Sequence, residues 1–227
     1  QLERLASLAV VADGVGSLAG GGEAARIAVT GLVAAVAESF EAAARAENSD
    51  PEVVCRLLHD AALSCHESLV RGAEAGGRRA ATTLTLFLGL WPHAYLLQVG
   101  DSRCYILQGD TFTQLSMDQT LAQELVDRGV MSRTAAEKTR WAHVLSSAVG
   151  GEQAAPVVTR VTRDWGNVIL LCSDGLTKHI SDERIREKLM AMKTARQVTE
   201  DLMQEALDAG GRDNVTVLVG RTLPRRA

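Results

Sequence analysis

Residues 82–115, TTLTLFLGLWPHAYLLQVGDSRCYILQGDTFTQL, decide the fold. Four strand-length runs, at 82–88, 93–99, 103–107 and 111–115, are rich in Leu, Thr, Tyr, Phe and Ile and are parted by short gaps holding Gly, Pro or Asp. Gln108-Gly109-Asp110 between the last two reads as a hairpin turn. Such close succession predicts an antiparallel meander.

Upstream of this block the period changes from two to 3.6. From 23 to 47 an Ala-rich stretch carries Ile27, Leu32, Val33, Val36 and Phe40 at helical spacing. Asn48-Ser49-Asp50-Pro51 stops it and starts another helix, with Ser49 or Asp50 as N-cap and Pro51 at the first helical position. That second helix presents Val54, Leu57, Leu58, Ala61, Ala62, Cys65 and Leu69 and ends in Gly72, Gly76 and Gly77. An apolar strand at 5–12, followed by Gly14, Gly16 and Gly20 to Gly22, opens the chain. Downstream come a polar, partly helical section (118–151), strands at 157–162 and 167–172, helices at 182–192 and 195–209, and a closing strand at 215–220. Helices in pairs and strands in meanders, without strict alternation, predict a layered α+β domain and not a doubly wound parallel sheet.

At 227 residues, with no repeat, low-complexity tract or linker, the chain reads as one domain over 1–227, able to bury roughly 70% of its unfolded surface. A formal net charge of -4 gives no broad basic footprint for nucleic acid. Cys55, Cys65, Cys104 and Cys172 form no CxxC pair and predict reduced, structural thiols in a cytoplasmic protein. No apolar run approaches the ~20 residues of a membrane span, and no signal-peptide pattern opens the chain.

The chemistry lies in three aspartates. Asp13-Gly14 follows the first strand, Asp174-Gly175 follows the run Val168-Ile169-Leu170-Leu171-Cys172-Ser173, and Asp213-Asn214 precedes the last strand after Gly210-Gly211-Arg212. One Asp-Gly alone is an ordinary turn dipeptide. Three carboxylates at strand mouths are costly to bury without counter-charge, and oxygen ligands suit hard divalent cations. Two such ions would leave a centre that attracts an anionic, phosphate-like ligand.

In order along the chain stand Val11-Ala12-Asp13-Gly14-Val15-Gly16, Ala81-Thr82-Thr83-Leu84, Val99-Gly100-Asp101-Ser102-Arg103-Cys104-Tyr105, Leu115-Ser116-Met117-Asp118-Gln119 with Gln123-Glu124-Leu125-Val126, Leu171-Cys172-Ser173-Asp174-Gly175-Leu176, and Gly211-Arg212-Asp213-Asn214-Val215-Thr216-Val217. This collinear set resembles the PPM, or PP2C-type, metal-dependent serine/threonine protein phosphatases, in their compact bacterial form. The resemblance implies a four-layer α-β-β-α sandwich of two antiparallel sheets flanked by helix pairs. It also implies two Mn²⁺ or Mg²⁺ ions, with Asp13 bridging both, Gly14 offering its carbonyl to one, and Asp174 with Asp213 holding the other. A hydroxide between the ions would attack phosphoserine or phosphothreonine in line. Asp101 resembles the position that, with Asp174, holds a third, weaker metal; as a turn aspartate it would instead organise the Gly100–Arg103 corner. Asp118 resembles a turn or cap position before a helix at 120–127. Phosphorylated proteins as substrates and an opposing Ser/Thr kinase follow from the same likeness.

The chain departs from the family pattern in places. The phosphate-binding arginine and Asn-Glu-Asp-like segment expected upstream of the first strand are absent from it, and Arg4 is a poor substitute. Ser17 stands for a usual glycine, Val15 for the histidine of eukaryotic members, and Gln119 for a frequent histidine or aspartate. These departures motivate an alternative, a pseudophosphatase or phosphoprotein-binding module on the same fold. His59, His66, His93, His143 and His179 are scattered and read as ordinary histidines, with His143 set apart. It shares the section 131–151 with Arg133, Arg140 and Trp141, a section that resembles the flap beside bacterial active sites and reads either as a substrate-contact surface or as a surface excursion. Thr82 and Thr83 read as strand residues.

Overall fold

Strand β1 (Ala6–Val11) is followed by the long helices α1 (Gly21–Arg45) and α2 (Pro51–Glu74), and then by β2 (Leu84–Leu90), β3 (His93–Val99), β4 (Arg103–Gln108) and β5 (Thr111–Gln114). The polar section holds α3 (Leu121–Asp127), α4 (Arg133–Ala136) and a 3-10 turn at Arg140–His143. Strands β6 (Val157–Thr162) and β7 (Val168–Cys172), helices α5 (Asp174–Thr177), α6 (Asp182–Met190) and α7 (Ala195–Asp208), and strand β8 (Val217–Arg221) complete the order. This computed structural model describes residues 6–15, 20–45, 50–75, 78–90, 93–162 and 164–223. Arg4, Gly16, Ser17, Ser49, Gly76 and Gly77, singled out in the sequence, lie outside the described residues.

The strands form two antiparallel sheets, ordered β1-β2-β3-β6 and β5-β4-β7-β8. The expected single meander is therefore corrected: β2-β3 and β4-β5 are hairpins in different sheets. The chain changes sheet at Gly100, whose φ of +100° lies in the left-handed region that favours glycine. A Cβ there would meet the Thr83 side chain at 2.7 Å. Periodicity marks strands well but does not say which sheet a strand joins.

Residues alternate between two buried faces, which is why the central strands read as continuous apolar runs. Leu84, Leu86 and Leu88 of β2 and Tyr95, Leu97 and Val99 of β3 pack against Ala24, Ala28 and Leu32 of α1 and Leu58, Ala62 and Leu69 of α2. Tyr105 and Leu107 of β4 with Val168, Leu170 and Cys172 of β7 pack under Ile185 and Leu189 of α6 and Val198, Leu202 and Ala206 of α7. The intervening residues Phe87, Leu96, Cys104, Ile106, Ile169 and Leu171 meet between the sheets. Three cores between four layers make the α-β-β-α sandwich, as expected.

Local signals place the helix ends. Asp50 caps α2 by accepting from the Glu52 amide at 3.0 Å, with Pro51 at the first position. Ser181 and Thr194 cap α6 and α7 in the same way. Gly72 lies inside α2 and does not end it. The cap of α3 is Thr120, which accepts from the Gln123 amide at 3.2 Å, so of the turn or cap position expected for Asp118 the cap is ruled out. All four cysteines are free; three are buried and Cys55 is half-buried. Among the described residues no helix is long and apolar enough to cross a membrane.

Candidate metal centre

Asp13 leaves the end of β1 under close backbone control. Its amide donates to Thr83 Oγ1 at 2.9 Å, and its carbonyl accepts from Thr82 Oγ1 at 2.9 Å and from the Thr83 amide at 2.8 Å. Thr83 is fixed in turn by Ser102 Oγ at 2.8 Å. Thr82 precedes β2 and bridges Gly14 on one side and Val149 on the other. The neighbouring Gly150 amide donates to His66 Nδ1 at 3.1 Å, which ties α2 to the same corner. The two threonines thus act as a brace for Asp13, a role hidden in the sequence by their strand-like setting.

Asp174 is the first residue of α5, at the mouth of β7. The residue before it grips the facing segment: Ser173 Oγ donates to the Asn214 carbonyl at 3.2 Å and accepts from the Thr216 amide at 3.0 Å. These bonds draw the Asp213-Asn214 loop onto the β7–α5 junction. Gly175 permits the approach, since a Cβ there would lie 2.2 Å from the Asn214 carbonyl oxygen. Asp213 Oδ1 accepts from the Asn214 amide at 2.9 Å.

Burial and the adjoining Asp174 carboxylate push the Asp13 carboxyl up to about 7, against the pull of Lys178. Asp101, 8% exposed, is likewise pushed up to about 7 by burial and then by Asp174 and Asp118. Asp174 Oδ1 is buried and receives no hydrogen bond while Asp13 is ionised; a protonated Asp13 shares a hydrogen bond with the Asp174 carboxylate. A buried acceptor without such a bond is costly unless a cation or donor meets it.

Lys178, which the sequence reading passed over, stands one helical turn beyond Asp174. Its Nζ lies 2.6 Å from Asp174 Oδ2 and 2.7 Å from Asp213 Oδ2. Burial pulls the ammonium toward neutrality, but the hydrogen bonds to both carboxylates outweigh this and hold it well above the usual lysine range. The hydrogen bond from Lys178 correspondingly lowers Asp213. Among the described residues no group of three acidic, histidine or cysteine side chains stands close enough to hold a metal ion. The all-oxygen donor set and the buried Asp174 Oδ1 beside Asp13 suit a hard divalent cation, while Asp213 reaches Asp174 only through the ammonium.

A cleft of about 730 Å³ opens beside this centre, lined by Asp101, Asp174 and Lys178 and also by Arg133 and His143 of the section between α3 and β6. Arg140 does not line it and stacks on Trp141, 5.6 Å from the ring centroid. Asp118 accepts a fork from Arg103, Nε at 2.9 and 3.0 Å and Nη2 at 2.7 Å. Arg103 Nη1 donates to Tyr105 Oη at 2.9 Å, and Tyr105 Oη donates to Asp182 Oδ1 at 2.8 Å. Asp118 therefore ties the loop after β5 to Arg103 of β4, while Tyr105 joins β4 to the start of α6. Gln119, one of the departures from the family pattern, ties down the sheet-changing corner, its Oε1 accepting from the Gly100 amide at 2.7 Å.

Comparison with known proteins gives the family and the fold. The sequence profile of the Protein phosphatase 2C family matches residues 1–210. The chain belongs to the protein phosphatase 2C family. Among its relatives, the serine/threonine protein phosphatase PstP of Mycobacterium tuberculosis is 32% identical over 219 residues, which are 94% of this chain and 40% of that protein. The chain thus spans well under half the length of that relative. The protein phosphatase PhpP of Streptococcus pneumoniae is 30% identical over 213 residues, 93% of this chain and 84% of that one. A crystal structure of M. tuberculosis PstP/Ppp superposes with a TM-score of 0.82 at 27% identity, covering 99% of this chain and 94% of that one. The catalytic domain of PstP in complex with two manganese ions gives 0.77 at 28% identity over the same shares. The relatives are bacterial, which fits the compact branch of the phosphatase 2C family.

Proposed function

We propose that this chain hydrolyses phosphoserine and phosphothreonine on proteins as a metal-dependent phosphatase, opposing a Ser/Thr kinase. The observation that carries the reading is Asp174, a family-motif carboxylate whose Oδ1 is buried beside Asp13, with no donor near it but the Asp13 carboxyl when protonated, at the edge of an open cleft. Asp13, the Gly14 carbonyl, Asp174 and Asp213 would hold two Mn²⁺ or Mg²⁺ ions, and Asp101 with Asp174 a third. When bound there, the ions would supply Lewis-acid charge and lower the pKa of water toward neutrality. The two manganese ions in the complex of the PstP catalytic domain support a centre of two metals.

The chain's own groups do the positioning. Thr82 and Thr83 hold the Asp13 backbone, and Ser173 with Gly175 holds the Asp213 loop against Asp174. Arg133 and His143 in the cleft lining supply donors for the phosphorylated segment of a substrate. Asp174→Asn is expected to lower the rate of phosphate release from a phosphothreonine peptide by at least about 100-fold, since groups that merely orient metal ligands are worth about 10–100-fold. Full activity in that variant would contradict the reading. One observation favours the alternative, a phosphoprotein-binding module: Lys178 sits between two of the would-be ligands. Phosphopeptide binding without turnover at any Mn²⁺ concentration would mark that case.

A further inference from the structure

Lys178 Nζ makes two charge-assisted hydrogen bonds, at 2.6 Å to Asp174 and 2.7 Å to Asp213, and so joins carboxylates delivered by two separate elements. Asp174 sits at the start of α5, whereas Asp213 lies in the loop before β8. We propose that Lys178 is a tethered cation that holds these two carboxylates together in the metal-free chain and that a divalent ion must displace. The inference rests on the assignment of Asp13, Asp174 and Asp213 as ligands given above.

Three features support it. First, all three aspartates approach the same corner, Asp13 lying close enough to feel the charge of both Asp174 and Asp213, and the ammonium stands between the last two. Second, electrostatics favours an exchange: three carboxylates with one ammonium lack counter-charge, whereas two divalent ions over-neutralise the same carboxylates and repel a neighbouring ammonium. Third, the displaced side chain has somewhere to go. Lys178 is 29% exposed and lines the cleft, and lysine carries its charge on a flexible four-carbon stem. The ion pair thus substitutes for metal before loading, and breaking it subtracts from metal affinity. Lys178 acts on the reaction through the metal ligands and is a positioning residue.

The test is Mn²⁺ titration by calorimetry into the EDTA-stripped full chain, with thermal melts of the metal-free and metal-saturated forms. Lys178→Gln is expected to bind Mn²⁺ about 10-fold tighter than the wild type, while Lys178→Arg, which keeps the charge, is not. The Gln variant is also expected to melt lower than the wild type without metal and together with it in saturating Mn²⁺; a merely structural lysine would lower both melts. Equal or weaker Mn²⁺ binding by a folded Lys178→Gln, with normal uptake by the wild type, overturns the inference alone. No uptake by either form overturns it together with the metal-centre reading. Should the variant fail to fold, a Mg²⁺ titration of the wild type followed by the Lys178 Cε resonance decides the matter. A shift on saturation is expected, and an unmoved resonance overturns the displacement.

Discussion

Asp13 is held by its backbone before its carboxylate can do anything. Thr83 accepts from the Asp13 amide at 2.9 Å, and Thr82 and the Thr83 amide donate to its carbonyl. Thr83→Val keeps the shape but leaves the half-buried Asp13 amide without that acceptor. The variant is expected to lose about 1–3 kcal/mol, read from the urea midpoint, and to bind Mn²⁺ more weakly. The aspartates were legible from their Asp-Gly and Asp-Asn settings after or before apolar strands. Lys178 was not, for its i+4 spacing from Asp174 is that of any helix pair, and its second partner Asp213 is joined to it only by tertiary folding. The same holds for Arg103 and Asp118, whose fork joins the start of β4 to the loop after β5. Residue type showed where charge was placed; it did not show which charges would meet.

At the scale of elements, one alternation explains the layers. Leu170 of β7 is fully buried and points to the α6–α7 side, while its neighbours Ile169 and Leu171 point between the sheets. Leu170→Ala is expected to cost about 2–5 kcal/mol in denaturant unfolding, with the slope unchanged, because the rigid layers on both sides cannot close the gap. The helix pairs and the eight strands were readable from period alone, apart from ends such as β8, which begins at Val217 and not at 215. The division of the central strands between two sheets was not readable in that way. It depends on Gly100 at φ +100° and on the bonds from Gln119 that secure the corner, so that 99 ends one sheet and 103 begins the other. That division also carries Asp101 into the site, since the corner between the sheets is where it sits.

Across the whole molecule, burial of acidic groups couples stability to pH. Asp13 and Asp101 are raised from an ordinary value of 3.8 to about 7 without metal, so the native chain keeps protons that the unfolded chain has lost. Their contribution is fully present below pH 3.8 and is lost as the pH rises through about 7. Thermal melts in EDTA are therefore expected to show a lower Tm at pH 8 than at pH 5.5, and Asp101→Asn is expected to flatten that slope. A Tm that climbs over this range would contradict the placement of both groups. The four-layer sandwich, with its cleft at one corner, brings these carboxylates near one another from the ends of both sheets. The most direct test is the initial rate of phosphate release from a phosphothreonine peptide by the EDTA-stripped full chain as Mn²⁺ is added. The rate is predicted to sit at background without metal and to rise to saturation with it; turnover indifferent to EDTA, or none at any Mn²⁺ concentration, would contradict a metal-dependent phosphatase built on Asp13, Asp174 and Asp213.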